Sequence, residues 1–192
     1  MEVNLPEPDA PRARRKSVAR ICIIGAESTG KTTLAAALAE HYSTLWVPEY
    51  GAPYHHVGRG DPHRPWAPEE FTHIAQIREW FEEFLAGYAD RVLFCDTDTF
   101  VTAVFYEVYM GTRSAELEEQ ARSCSYSLYL LCDVDTPFHR DKLGLRREDA
   151  RLRMHERYAE YVRSTGCPWI AVSGPHDERM RLATAAVDGL IS

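Results

Sequence analysis

The chain is 192 residues long, 45% hydrophobic and 27% charged, which suits one globular domain large enough for a sheet core. Its net charge of −7 argues against nucleic acid as the main partner. No apolar run approaches the length of a membrane span, and no apolar stretch follows the charged N-terminus, so neither membrane association nor a signal peptide is expected.

Residues 1–17 are rich in Pro, Arg and acid and poor in apolar side chains, which predicts a flexible basic tail and leaves 18–192 as the folded domain. Residues 20–24 are a short β-branched run suited to a buried strand. Gly25-Ala26-Glu27-Ser28-Thr29-Gly30-Lys31-Thr32 then fits G-x-x-x-x-G-K-[ST], a loop whose backbone N–H groups cradle nucleotide phosphates. Lys31 can reach the β/γ oxygens and the Thr32 hydroxyl can ligate Mg²⁺. Residues 32–42 are Ala/Leu-rich and predict the helix that must follow such a loop. The bland alternative is an ordinary strand–turn–helix corner. Gly25, Glu27, Ser28, Thr29, Gly30, Lys31, Thr32 and Thr33 are the candidate nucleotide contacts.

A second strand is predicted at 45–47, followed by a Pro/Gly-rich loop over 48–65 and a helix opening at Pro68. Phe71, Ile74, Ile77, Phe81, Phe84, Leu85 and Tyr88 form one apolar stripe at helical spacing. Residues 91–96 read as a third strand, and Val101, Val104, Phe105 and Val108 recur with helical period after it. Strands at 128–132 and 169–172 flank an Arg-rich helix over 148–163, and Pro175 opens a last helix to about 190. Strands alternating with helices predict an α/β three-layer fold of the P-loop NTPase type with a five-stranded parallel sheet.

The cysteines (Cys22, Cys95, Cys124, Cys132 and Cys167) lack C-x-x-C spacing, and three lie in strand-like runs, which suits buried thiols in a reducing cytoplasm. His55, His56 and His63 lack metal spacing and read as solvated loop histidines.

Asp96 stands at the end of an apolar run, where a carboxylate organises Mg²⁺ for phosphoryl transfer. In Asp96-Thr97-Asp98, one acid can serve the metal while the other caps a helix. Glu49 follows strand two and so points toward the reaction zone, where an acid can take a proton from a substrate hydroxyl. Tyr50 and Tyr54 are candidates to stack on an aromatic ring; a plain surface turn accounts for the segment equally well. Residues 136–147 carry Arg140, Arg146 and Arg147 and fit a closing lid with a phosphoryl-stabilising arginine. Arg151 and Arg153 read as a solvated helix face.

These motifs resemble the ribosylnicotinamide kinase domain of NadR-type proteins. The phosphate loop carries Glu27; Glu49-Tyr50-Gly51 with Tyr54, Ala75-Gln76 and Asp96-Thr97-Asp98-Thr99-Phe100 follow in the family's order. Thr136-Pro137-Phe138, Asp141 and Leu145-Arg146 match its lid. Ala52 stands where the family has Arg, Phe138 where it has Trp, and the lid is two residues longer. The resemblance implies a nucleoside-kinase-type fold that phosphorylates the 5′-hydroxyl of nicotinamide riboside with ATP and Mg²⁺. It implies Lys31, Glu49, Asp96 and Arg146 as catalytic residues, and Thr32 and Asp96 near metal. Glu49, Tyr50, Tyr54, Gln76 and Asp98 would lie near the nucleoside. A kinase for another nucleoside or nucleotide, or a P-loop ATPase acting as a nucleotide-dependent switch, are the alternatives.

Overall fold

The structure, a computed structural model, describes residues 18–61, 63–137 and 148–192. The tail at 1–17 and the lid segment 138–147, with Phe138, Arg140, Asp141, Leu145, Arg146 and Arg147, lie outside the described residues.

Five strands form one sheet: β1 (Ala19–Ile24), β2 (Trp46–Val47), β3 (Val92–Asp96), β4 (Leu128–Cys132) and β5 (Trp169–Val172). Their order is β2-β3-β1-β4-β5 and every pair is parallel. Consecutive residues of β1 serve opposite faces. Ile21 and Ile23 pack with Leu34 and Leu38 of α1 (Lys31–His41) and Ala183 and Val187 of α7 (His176–Ile191). Cys22 and Ile24 pack with the other layer. That layer holds Phe71 of α3 (Pro68–Ala86), Val104 of α4 (Thr99–Met110), Leu117 of α5 (Ala115–Ser123) and Val162 of α6 (Glu148–Ser164). A strand buried on both faces must be apolar throughout, which is why these strands read as continuous runs. Leu38 is fully buried, and Leu38→Ala is expected to cost about 2–5 kcal/mol in a denaturant melt.

Two segments differ from expectation. Residues 48–65 are not plain loop: α2 (Gly51–Pro53) runs into a π-helical turn at Tyr54–Gly58. The Tyr54 N–H donates to the Tyr50 carbonyl and the Arg59 N–H to the Tyr54 carbonyl, each at 3.0 Å. The turn is anchored by Arg59, whose guanidinium sits 4.0 Å from the Trp66 ring centre and binds the Arg64 and Pro65 carbonyls. The second difference is α5, which the sequence did not reveal because only Leu117, Glu118 and Ala121 of it are buried. Ser114 caps it by accepting from the Leu117 N–H at 3.3 Å.

All five cysteines are free thiols, and Cys22, Cys95 and Cys132 are buried as expected. Burial pushes the Cys22 and Cys95 thiols well up. No helix among the described residues is long and apolar enough to cross a membrane.

Candidate active site

The sheet order reverses at β1, and a parallel sheet presents ligands at such a point, beyond the carboxyl ends of its strands. Three neighbouring strand ends converge there. β1 delivers the phosphate loop, β3 delivers Asp96, and β2 delivers Glu49.

The loop turns because Gly25 (φ 156°) and Gly30 (φ 81°) occupy backbone conformations that side chains rarely adopt. A Cβ on Gly25 would also fall 2.8 Å from the Cys132 carbonyl oxygen. Ser28 itself takes a left-handed conformation (φ 57°). A loop whose N–H groups face a ligand must turn its carbonyls elsewhere, and these carbonyls are held from behind. Arg151 Nε donates to the Glu27 carbonyl at 3.0 Å, and Thr136 Oγ1 to the Ser28 carbonyl at 2.6 Å. Arg179 Nη1 donates to the Thr29 carbonyl at 2.9 Å. Arg151 is thus 4% exposed, not the solvated side chain expected of an Arg-rich helix. Helical spacing carried no sign of this, because Glu27 and Ser28 lie more than a hundred residues away and Thr136 lies outside the helix. Arg153 does face solvent, paired with Asp149 at 3.1 Å.

Lys31 folds back on the loop, its Nζ 2.8 Å from the Ala26 carbonyl. The Thr32 hydroxyl donates to Asp96 Oδ2 at 2.5 Å, while Asp96 Oδ1 is buried without a partner. Burial raises the Asp96 carboxyl above its ordinary range, against the lowering effects of Thr32, Lys31 and Arg78. A hydroxyl beside a carboxylate with a spare oxygen is the donor set of a hard divalent cation that keeps most of its waters. Among the described residues there is no cluster of three or more His, Cys, Asp or Glu side chains fit to hold a metal.

Glu49 accepts from the Ala52 N–H through both carboxyl oxygens, each at 3.1 Å. Burial raises its carboxyl too, opposed by the Ala52 and Gly51 N–H groups and reinforced by Asp96. Glu49, Lys31, Thr32 and Asp96 line one cavity of about 330 Å³. The phosphate loop shares this lining with Trp66, Phe71, Ile74, Phe105 and Tyr109, an aromatic and apolar set. Five buried side-chain polar atoms among the described residues lack a partner, and four belong to His55, Arg78 and Asp96, which line this cavity. Native structures leave few such groups unpaired, so their concentration in one cleft marks a ligand site.

Tyr50 lines the cleft, but three other residues expected near a nucleoside do not. Tyr54 turns its hydroxyl to Glu70 at 3.2 Å. Gln76 is exposed, because two residues along a helix from Ile74 lies on a different face. Asp98 is fully buried, caps α4 through the Val101 N–H at 3.2 Å and accepts from the Tyr129 hydroxyl at 3.1 Å. His55 is part of the wall instead of a solvated loop histidine: it stacks on Trp66 with ring centres 5.5 Å apart. Phe71 and Ile74 were visible as part of one apolar helical face, yet a wall of a cleft and a wall of a core share that pattern, and Arg78 beside them carried no apolar signal.

A family model described as an AAA domain matches residues 20–179. The trifunctional NAD biosynthesis/regulator protein NadR of Salmonella typhimurium is 29% identical over 126 residues. This alignment covers 66% of the chain and 31% of that relative; the Escherichia coli NadR gives the same figures. The chain therefore spans about a third of the length of the curated relatives it matches. A crystal structure of NadR in complex with NR superposes with a TM-score of 0.72 at 19% identity, covering 91% of this chain and 52% of that one. Deoxyadenosine kinase from M. mycoides superposes at 0.63 and 14% identity, covering 88% and 99%. From a match over most of its length, the chain belongs to this AAA-domain family, and it shares the three-layer fold of NadR and of deoxyadenosine kinase.

Proposed function

We propose that residues 18–192 form an ATP- and Mg²⁺-dependent kinase that converts nicotinamide riboside to nicotinamide mononucleotide, a cytoplasmic step of NAD salvage. The observation that carries this reading is the shared cavity. Its lining joins a phosphate loop with its hydroxyl–carboxylate pair, a carboxylate of raised pKa and, as a second half, an aromatic and apolar wall. A nucleotide switch has no use for the second half of that cleft. The NadR relatives and the NR-bound neighbour support the choice of acceptor.

The loop N–H groups and Lys31 hold the triphosphate, Lys31 exchanging the Ala26 carbonyl for phosphate oxygens. Thr32 and Asp96 would hold Mg²⁺, which neutralises charge on the β- and γ-phosphate oxygens when bound. Glu49 takes the proton of the 5′-hydroxyl as that oxygen attacks the γ-phosphorus, and ADP leaves. The cationic pyridinium lies against aromatic faces, which attract it by their quadrupole; Tyr50 and Trp66 are available to it in the cleft.

The test is purified protein with ATP and Mg²⁺, scored for monophosphate from nicotinamide riboside, uridine, cytidine and thymidine. Turnover of nicotinamide riboside above the others is the expected result. Turnover of another nucleoside alone keeps the kinase and discards the substrate, and ATP hydrolysis with no acceptor product hands the site to a switch.

A further inference from the structure

We infer that Arg78 reads the acceptor nucleoside, one of its unpartnered N–H groups donating to a single uncharged oxygen of the bound molecule. This rests on the kinase reading above. Arg78 lies on α3 one turn beyond Ile74, and both line the cleft, whereas Gln76 between them faces solvent. Its side chain is 2% exposed. Nη2 is fully engaged, with Glu82, with the Thr97 carbonyl and with the Tyr126 hydroxyl at 3.2 Å. Those three partners fix the guanidinium plane. Nε and Nη1 have no hydrogen-bond partner among the described residues.

Two features specify what the free donors take. Glu82, itself buried and also accepting from Tyr126 at 2.7 Å, already neutralises the guanidinium. A neutralised cation has no need of a phosphate and suits a hydroxyl or carbonyl oxygen. The side chain also springs from the helix that supplies Phe71 and Ile74 to the apolar wall, so it belongs to the acceptor half of the cleft. Thr97, whose carbonyl it holds, has a left-handed backbone (φ 73°) next to Asp96. Arg78 therefore ties acceptor recognition to the residue beside the metal-side carboxylate. A site built to hydrogen-bond a substrate oxygen discriminates strongly against the analogue lacking it, because its donor is then left buried and unpaired.

The experiment is an oxygen-deletion series on wild type and Arg78→Met: nicotinamide riboside, the pyridine riboside lacking the ring carboxamide, and the 2′-deoxy and 3′-deoxy ribosides. In wild type, one deletion is expected to raise KM about 10- to 100-fold, the range of a charge-assisted hydrogen bond. In Arg78→Met the parent KM should rise to that level and the same deletion should no longer matter, with the KM for ATP within about twofold of wild type. A purely structural arginine would instead raise every KM by one factor, or raise that for ATP in step, while each deletion kept its wild-type effect; that result overturns the assignment. If Arg78→Met does not fold, Arg78→Lys keeps a cation beside Glu82 and must weaken the same single deletion effect. If wild type turns over a different nucleoside, the series is run on that nucleoside, so the substrate assignment can fail while Arg78 is still tested.

Discussion

Asp96 and Glu49 are carboxyls held in the cleft at the expense of stability. Both carboxyls are raised by burial, so the folded state binds their protons more tightly than the unfolded chain does. The sign follows from linkage: each carboxylate weakens the fold as pH rises above the unfolded value, and the penalty disappears once both states are protonated at low pH. Asp96→Asn should therefore melt higher than wild type at pH 7, the gain shrinking as pH falls toward the unfolded value of about 4 and vanishing below it. The same variant should lose most of its kcat and need more Mg²⁺, which a metal titration of initial rates would read. Glu49→Gln should lower kcat by roughly 10²–10⁴ with ATP affinity little changed. In wild type the acid limb of the rate profile should fall at a pH above the ordinary glutamate value, because a protonated Glu49 cannot accept the hydroxyl proton. Lys31→Ala should cost on the order of a hundredfold or more in rate while leaving the melting curve in place.

At the scale of elements, the segment from β2 to α3 has its own electrostatic centre. Glu70 accepts from Arg59, Arg64, Tyr54 and the Ala67 N–H. Burial alone would raise its carboxyl, but Arg59, the Ala67 N–H and Tyr54 outweigh it and hold the value at about 2. Its stabilising contribution is complete above the unfolded value of 4.5 and is lost as pH falls from there toward 2. Glu70→Gln should lower the melting temperature at pH 7 and much less at pH 2, and it should raise the nucleoside KM because the π-helical turn carries His55 and stands beside Tyr50. This element was also the least legible in the sequence. All five strands and the phosphate loop announce themselves through local composition, the strands as apolar runs and the loop by the glycines it must have around phosphate. The turn after Glu49 depends on Arg59 meeting Glu70 and Trp66, and no periodicity encodes such pairings. Arg151 was misread for the same reason, and Tyr54, Gln76 and Asp98 were placed at the ligand by motif although packing turns them elsewhere. Lys31, Thr32, Glu49, Tyr50 and Asp96 do meet in one cleft, because strand ends converge whenever the strand order is right.

At the scale of the molecule, different elements supply the two halves of the cleft. β1 and α1 supply the phosphate loop, backed by Arg151 of α6 and Arg179 of α7, while α3 and α4 supply the acceptor wall. On the kinase reading, the arginine braces serve the nucleotide and the wall serves the acceptor. Arg151→Met should raise the KM for ATP more than that for the nucleoside, since it releases the Glu27 and Ser28 carbonyls and lets the loop's N–H groups turn away. The most direct measurement is phosphate transfer itself: purified protein with γ-labelled ATP, Mg²⁺ and nicotinamide riboside, the products resolved and the label located. Label recovered in nicotinamide mononucleotide, abolished by Lys31→Ala and reduced at least a hundredfold by Glu49→Gln, is the expected result. Label released only as inorganic phosphate, at a rate indifferent to the nucleoside and to Glu49→Gln, would contradict it.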